Sequence, residues 1–195
     1  SRVKEGQTLR IPATLVARDS RTAGSEEGHV RPAGGSENAD VRVVLETPDI
    51  LVVNKSAGIP VHGAGGLDGM VPQAAGARGS LSFRSGPLHR LDKGTTGLIV
   101  FSRSLSGARW FSSAISDNRV GKEYLGLAEG ILRESGEWTE TDGTGRLMAT
   151  NATPLARSTT AGGRGLTLVS YRILTGRKHQ IRIQTSGRGH PLAGD

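Results

Sequence analysis

GLIVFSRSLSGARWFSSAISDNRVGKEYLGLAEG, residues 97–130, holds the alternation of element types on which the fold turns. Gly97 to Ser102 is a short apolar, β-branched run between a glycine and a polar turn, the signature of a strand. Leu105, Ala108, Phe111 and Ile115 then recur at helical spacing, and Ser104 stands where an N-cap belongs. Glu123 to Ala128 returns to strand character around Tyr124.

Working toward the N-terminus, Val41, Val43 and Leu45 alternate with outward residues, Thr47-Pro48-Asp49 forms a turn, and Ile50 to Val53 suits a buried strand. Residues 63–80 contain six glycines and read as a mobile loop. Toward the C-terminus, 134–165 is polar and glycine-rich. Two further strand-like runs, 166–174 and 178–185, are joined by Thr175-Gly176-Arg177 as a hairpin connection. In the second of these, alternation would put Ile181 and Ile183 on one face and Gln180, Arg182 and Gln184 on the other. Many strands, one clear helix and short turns imply an α+β domain with a largely antiparallel sheet.

Residues 18–40 have linker composition, rich in Gly, Ser, Glu and Asp, so a boundary is expected near Asp40. The remainder, 41–195, is then one domain. No apolar run approaches 18 residues, and the N-terminus lacks the basic-then-apolar order of a secretory signal. Cytoplasm is the default expectation. With no cysteine there is no disulfide frame, thiolate nucleophile or Cys-ligated zinc.

The net charge of +7 is unevenly placed. Residues 1–40 carry six basic and six acidic side chains and sum to zero, leaving 19 basic and 12 acidic residues in the rest. No acid occurs from Gly143 to Gly194, a stretch holding Arg146, Arg157, Arg164, Arg172, Arg177, Lys178, Arg182 and Arg188. That distribution favours a polyanionic partner, nucleic acid above all.

Chemistry concentrates in three segments. HRLDKGTTG, His89 to Gly97, sets Arg90 and Asp92 two apart before an apolar strand. In an extended conformation both would face one side. LTGRKHQIRI, Leu174 to Ile183, and GKEYLGL, around Tyr124, are the other two. Singly, each is matched by ordinary surface turns and strands. His89, His179 and His190 fit no metal spacing and are expected to brace loops by hydrogen bonds.

In order and spelling, four blocks resemble the RluA-type pseudouridine synthases: NKSAGIPVH at 54–62, HRLDKGTTG at 89–97, GKEYLGLAEG at 121–130 and TGRKHQIRIQTSGRGHPLAGD at 175–195. The resemblance covers 41–195. The opening SRVKEGQTLRIP is similar to the end of an S4 RNA-binding domain, so 1–40 is expected to be the tail of such a domain plus linker. The family's domain ordinarily runs past the position of Asp195, so its C-terminal end is expected to be missing here.

The resemblance implies a central mixed, mainly antiparallel sheet flanked by helices and loops, and isomerisation of a specific uridine in RNA without cofactor or metal. Large-subunit ribosomal RNA is the leading substrate and transfer RNA the alternative, with the protein acting as a monomer. It assigns the catalytic aspartate to Asp92, the active-site tyrosine to Tyr124 and the arginine that pairs with the aspartate to Arg182. Arg90, Ile181, Arg177, Lys178 and His179 are assigned to substrate and RNA, and Lys55 to a structural role in the first block. Ser56, Thr96, Lys178 and Gln184 stand where the family usually has proline, serine, threonine and histidine.

The chemistry suits these groups. The bond from N1 to the ribose must break and the ring rejoin through C5; a carboxylate can attack an electrophilic carbon and later leave. A guanidinium keeps a carboxylate charged and oriented as it enters a base pocket. The uridine must also be extruded, at roughly a few kcal/mol. A non-catalytic ribosome-associated RNA-binding module is the alternative. An acid within a basic groove argues against it, and a hydrolase would want paired carboxylates or metal ligands.

Overall fold

The structure is a computed structural model that describes residues 41–74 and 83–195. The expected S4-like tail and linker, 1–40, lie outside the described residues, as do positions 75–80 of the expected loop. The chain divides into two units that meet between Ser113 and Ala114.

The first unit is built on a sheet of order β1-β2-β4-β3, antiparallel throughout. Strand β1 (Arg42–Glu46) turns Val43 and Leu45 inward, as its alternation implies. Thr47 makes the following turn: its Oγ1 accepts from the amides of Asp49 and Ile50 and donates to the Ile50 carbonyl. Strand β2 (Ile50–Lys55), an interior strand of the sheet, is buried along nearly its whole length. Helix α1 (Leu67–Ala74) follows, then the two-residue strand β3 (Gly86–Pro87) and strand β4 (Gly97–Ser102).

Helix α1 replaces part of the loop expected over 63–80. Leu67 and Val71, one turn apart, are both buried, and that tertiary anchoring outweighs the poor helix propensity of the local glycines.

Helix α2 (Leu105–Ser116) has the expected cap, the Gly107 amide donating to Ser104 Oγ at 3.0 Å. Its first turn sits so close to Asp49 that a Cβ on Gly107 would lie 2.2 Å from the Asp49 carbonyl oxygen.

The second unit carries a sheet of order β5-β8-β7-β6, again wholly antiparallel. Its strands are β5 (Lys122–Glu129), β6 (Gly136–Thr141), β7 (Leu147–Thr159) and β8 (Gly165–Ile173). Two of them occupy the stretch 134–165 that reads as polar and irregular. β7 hides itself because its buried positions, Met148, Ala149, Thr150 and Ala152, do not alternate and, Met148 apart, are small or polar. One face packs around Ala128, Trp138, Ala152, Val169 and Tyr171.

The segment 178–185 is not a strand. It forms helix α3 (Gln180–Gly187), so the hairpin expected at Thr175-Gly176-Arg177 is a strand-to-helix turn. The helical period replaces the alternation: Gln180, Gln184 and Thr185 are buried, while Arg182 and Ile183 face outward. The α+β class and its mainly antiparallel character stand, with three helices among the described residues and the strands shared between two four-stranded sheets.

Candidate active site

The loop bearing Arg90 and Asp92 links β3 to β4. It begins as a continuation of the ladder, Leu88 donating its amide to Val100. His89 Nε2 then accepts the Val100 amide at 3.1 Å, and its ring stacks on Phe111 of α2. Leu91 is buried, Arg90 exposed and Asp92 half-buried, so the two polar residues lie away from the core on either side of an apolar anchor. Thr95 closes the turn by donating to the Asp92 carbonyl.

Lys55 secures this loop from below. It ends β2 opposite Gly97, and its side chain is 1% exposed. Its ammonium has three donors, and three carbonyls receive them: Ser56 at 3.0 Å, Ile59 at 2.8 Å and Lys93 at 3.0 Å. The Lys93 carbonyl also accepts from the Gly58 amide, tying the 56–60 turn to the loop of Asp92. Burial lowers the Lys55 pKa, and the charge of Asp92 opposes that shift, so the two groups feel one another.

In the second unit, Tyr124 of β5 lies opposite Tyr171 of β8. Tyr124 and Ile181 both pack, partly buried, against the core cluster of this sheet. Arg182, next on α3, is anchored at two points. Its Nε donates to Asp195 Oδ2 at 2.6 Å and its Nη1 lies 3.2 Å from His179 Nδ1. A guanidinium can only donate, so the His179 nitrogen facing it accepts. His179 itself takes a left-handed conformation, φ 54°, at the start of α3.

Arg177 spends its Nε on the Leu147 carbonyl and its backbone amide on Gln180 Oε1, which fixes the turn before the helix; Lys178 is exposed. His190 bonds the Glu129 carbonyl through Nδ1 at 2.8 Å. All three histidines considered above thus engage in bracing hydrogen bonds.

Beneath α3 lies a buried polar network. Gln180 Nε2 donates to the Ala149 carbonyl and to Thr150 Oγ1, while Gln180 Oε1 accepts from Thr175 Oγ1 and the Arg177 amide. Thr150 Oγ1 donates to Gln184 Oε1 at 2.6 Å, and Gln184 Nε2 reaches the Trp138 carbonyl. Sequence reasoning missed this network and Asp195. A signal for the latter existed, since Asp195 is the first acid after the acid-free stretch from Gly143 to Gly194. Among the described residues no group of three His, Cys, Asp or Glu side chains could hold a metal ion, and no helix is long and apolar enough to cross a membrane.

Two solved structures share this architecture. Human RNA pseudouridylate synthase domain containing 4 superposes with a TM-score of 0.66 at 23% identity, covering 79% of this chain and 67% of that one. Human RNA pseudouridylate synthase domain containing 1 gives 0.65 at 24%, covering 84% and 71%. The fold is therefore that of pseudouridylate synthase domains. A family model described as RNA pseudouridylate synthase matches residues 49–187, and the chain belongs to that family, in its RluA-type branch.

Among curated relatives, ribosomal large subunit pseudouridine synthase D of Haemophilus ducreyi is 31% identical over 82% of this chain and 53% of its own length. The Yersinia pestis protein of the same name is 34% identical over 78% and 51%. Ribosomal large subunit pseudouridine synthase C of Escherichia coli is 29% identical over 100% and 63%. The chain spans about half the length of the D-type relatives it matches.

Proposed function

We propose that the protein is an RNA pseudouridine synthase that isomerises a uridine of large-subunit ribosomal RNA, with Asp92 as nucleophile. Membership of the family is the observation that carries the reading, and the names of the relatives support ribosomal RNA as substrate. The eight cations between Gly143 and Gly194, unaccompanied by an acid, suit a phosphate backbone.

In this reading the uridine is flipped from its stack, and the Asp92 carboxylate adds to an electrophilic carbon of the nucleotide. The bond from C1′ to N1 breaks, C1′ joins C5, the C5 proton departs, N1 gains a proton, and the carboxylate is released. Tyr124 offers its ring to the flipped base beside Ile181, and Arg182 holds the aspartate charged and oriented. Arg90 occupies the vacated stack or grips a phosphate, with Arg177, Lys178 and His179 contacting RNA. The braced loop supports the aspartate's role, because Lys55 fixes the backbone at the residue after Asp92.

Tritium release from ribosomal RNA labelled at uridine C5 tests this. Wild type should release tritium at one position, and Asp92→Asn should release none while binding RNA with the same salt dependence. Binding without release by the wild type would leave only an RNA-binding module. Equal release by the variant would discard Asp92 as nucleophile.

A further inference from the structure

We propose that Asp195 is a positioning residue for the isomerisation, setting the plane of the Arg182 guanidinium. The inference rests on the catalytic role given to Arg182 above and adds a residue to it.

Arg182 projects from the outward side of a helix, and its side chain is 45% exposed. An arginine so placed samples many rotamers, and freezing it costs roughly 2 kcal/mol of side-chain entropy. A bond to Nε differs from one to the terminal nitrogens, because the single Nε–H is rigid with the plane of the fork. Asp195 takes that donor at 2.6 Å, a short charge-assisted contact. His179 Nδ1, at 3.2 Å from Nη1, supplies a second point on the same plane. Two fixed points leave the fork little freedom to rotate.

Asp195 is itself delivered by a tied segment. Glu129 donates its amide to Pro191, Ala193 to Leu127, and Asp195 to Leu192, while Ala128 bridges to Leu192. The segment is thereby laced along β5, the strand that carries Tyr124, and the carboxylate reaches α3 from there. One strand therefore carries the tyrosine and anchors the group that orients the arginine. An acid facing a cation in an otherwise acid-free basic stretch weakens RNA attraction, so its presence calls for a compensating role.

The test is single-turnover tritium release at saturating C5-labelled ribosomal RNA, with RNA dissociation constants and melting temperatures measured alongside, for the full chain and two variants. Asp195→Ala removes the acceptor. Its rate should fall roughly ten- to a hundredfold, the equivalent of one charge-assisted hydrogen bond at the transition state. RNA affinity should be unchanged or tighter, since a negative charge has gone. Asp195→Asn keeps an oxygen for Nε and should recover to within about threefold of wild type, because orientation rather than charge is restored. An Asp195→Ala rate equal to wild type overturns the proposal, as does an Asn variant no faster than the Ala variant, or a loss residing wholly in RNA affinity or melting temperature. If the wild type releases no tritium, the isomerase reading falls and takes this proposal with it; if the wild type is active and Asp195→Ala is unimpaired, only the positioning role falls.

Discussion

Replacing Gln180 by methionine isolates what the polar network under α3 contributes. The side chain is 3% exposed and makes four hydrogen bonds, all lost in Gln180→Met while the buried volume is nearly kept. The Ala149 carbonyl would still accept from Leu174, and the Thr150 hydroxyl would still donate to Gln184. The Arg177 amide and the Thr175 hydroxyl would lose the acceptor they share. Two half-buried donors left unsatisfied, at about 1–2 kcal/mol each, give an expected destabilisation of roughly 2–4 kcal/mol. Urea unfolding followed by Trp138 fluorescence in a Trp110→Phe background reports on the second unit. A double-mutant cycle with Thr150→Val should show a coupling of about 1 kcal/mol, because the two side chains bond directly. A loss below about 0.5 kcal/mol, the scale of an ordinary surface change, would refute the claim that this network holds the helix.

Three further outcomes follow from individual groups. Lys55→Met removes the brace beneath Asp92 and should reduce both the stability of the first unit and tritium release. Because burial lowers the Lys55 pKa, the unfolded chain binds the proton more tightly, so wild-type stability should carry a component that rises with pH up to 10.5 and is missing from the variant; identical pH slopes would contradict this. The Tyr171 hydroxyl is buried with no hydrogen-bond partner among the described residues, and burial pushes its pKa up to about 12. Tyr171→Phe should therefore stabilise the second unit by about 1 kcal/mol. It should also abolish the loss of stability that the wild type shows from pH 10.0 to about 12, where only the unfolded tyrosine ionises; a destabilised Phe variant would count against it. Gly107→Ala would place a methyl inside the Asp49 carbonyl and should lower the melting temperature by several degrees despite the better helix propensity of alanine.

What could be read from the sequence divides along a physical line. β2, β4 and α2 announce themselves because they bury large apolar side chains at the spacing of their element: Leu51, Val53, Ile99, Phe101 and Phe111 are all buried. α3 fails that test, since its buried positions are Gln180, Gln184 and Thr185. A helix whose inner face is amide and hydroxyl carries no hydrophobic period, and the accidental alternation of Ile181 and Ile183 imitates a strand. β7 is hidden for a related reason: its buried positions are consecutive, Met148 to Thr150, so no alternation marks the strand. The candidate residues Asp92, Tyr124 and Arg182 were legible only as spelling matched to a family. The residues bracing Arg182 and its helix, Asp195 and the two glutamines, make their contacts through a fold the sequence does not display.

Polar bracing has a consequence that apolar packing would lack. A leucine at position 180 or 184 could fill the volume under α3, but dispersion is non-directional and would tolerate a rotation of the helix about its axis. Amide groups one turn apart, bonded to fixed points on β7 and β6, do not: Gln180 meets Ala149 and Thr150, and Gln184 meets Thr150 and Trp138. The azimuth of Arg182 is therefore set by hydrogen bonds of fixed direction, and its fork by Asp195. These two levels should separate experimentally. Loosening the glutamines should lower stability and rate together, whereas Asp195→Ala should lower rate with stability nearly intact, because a half-exposed ion pair contributes about 0–1 kcal/mol to folding. If Gln180→Met lowered stability by the expected amount yet left single-turnover rates untouched, the orientation of Arg182 would not depend on the network, and the helix's polar face would serve folding alone.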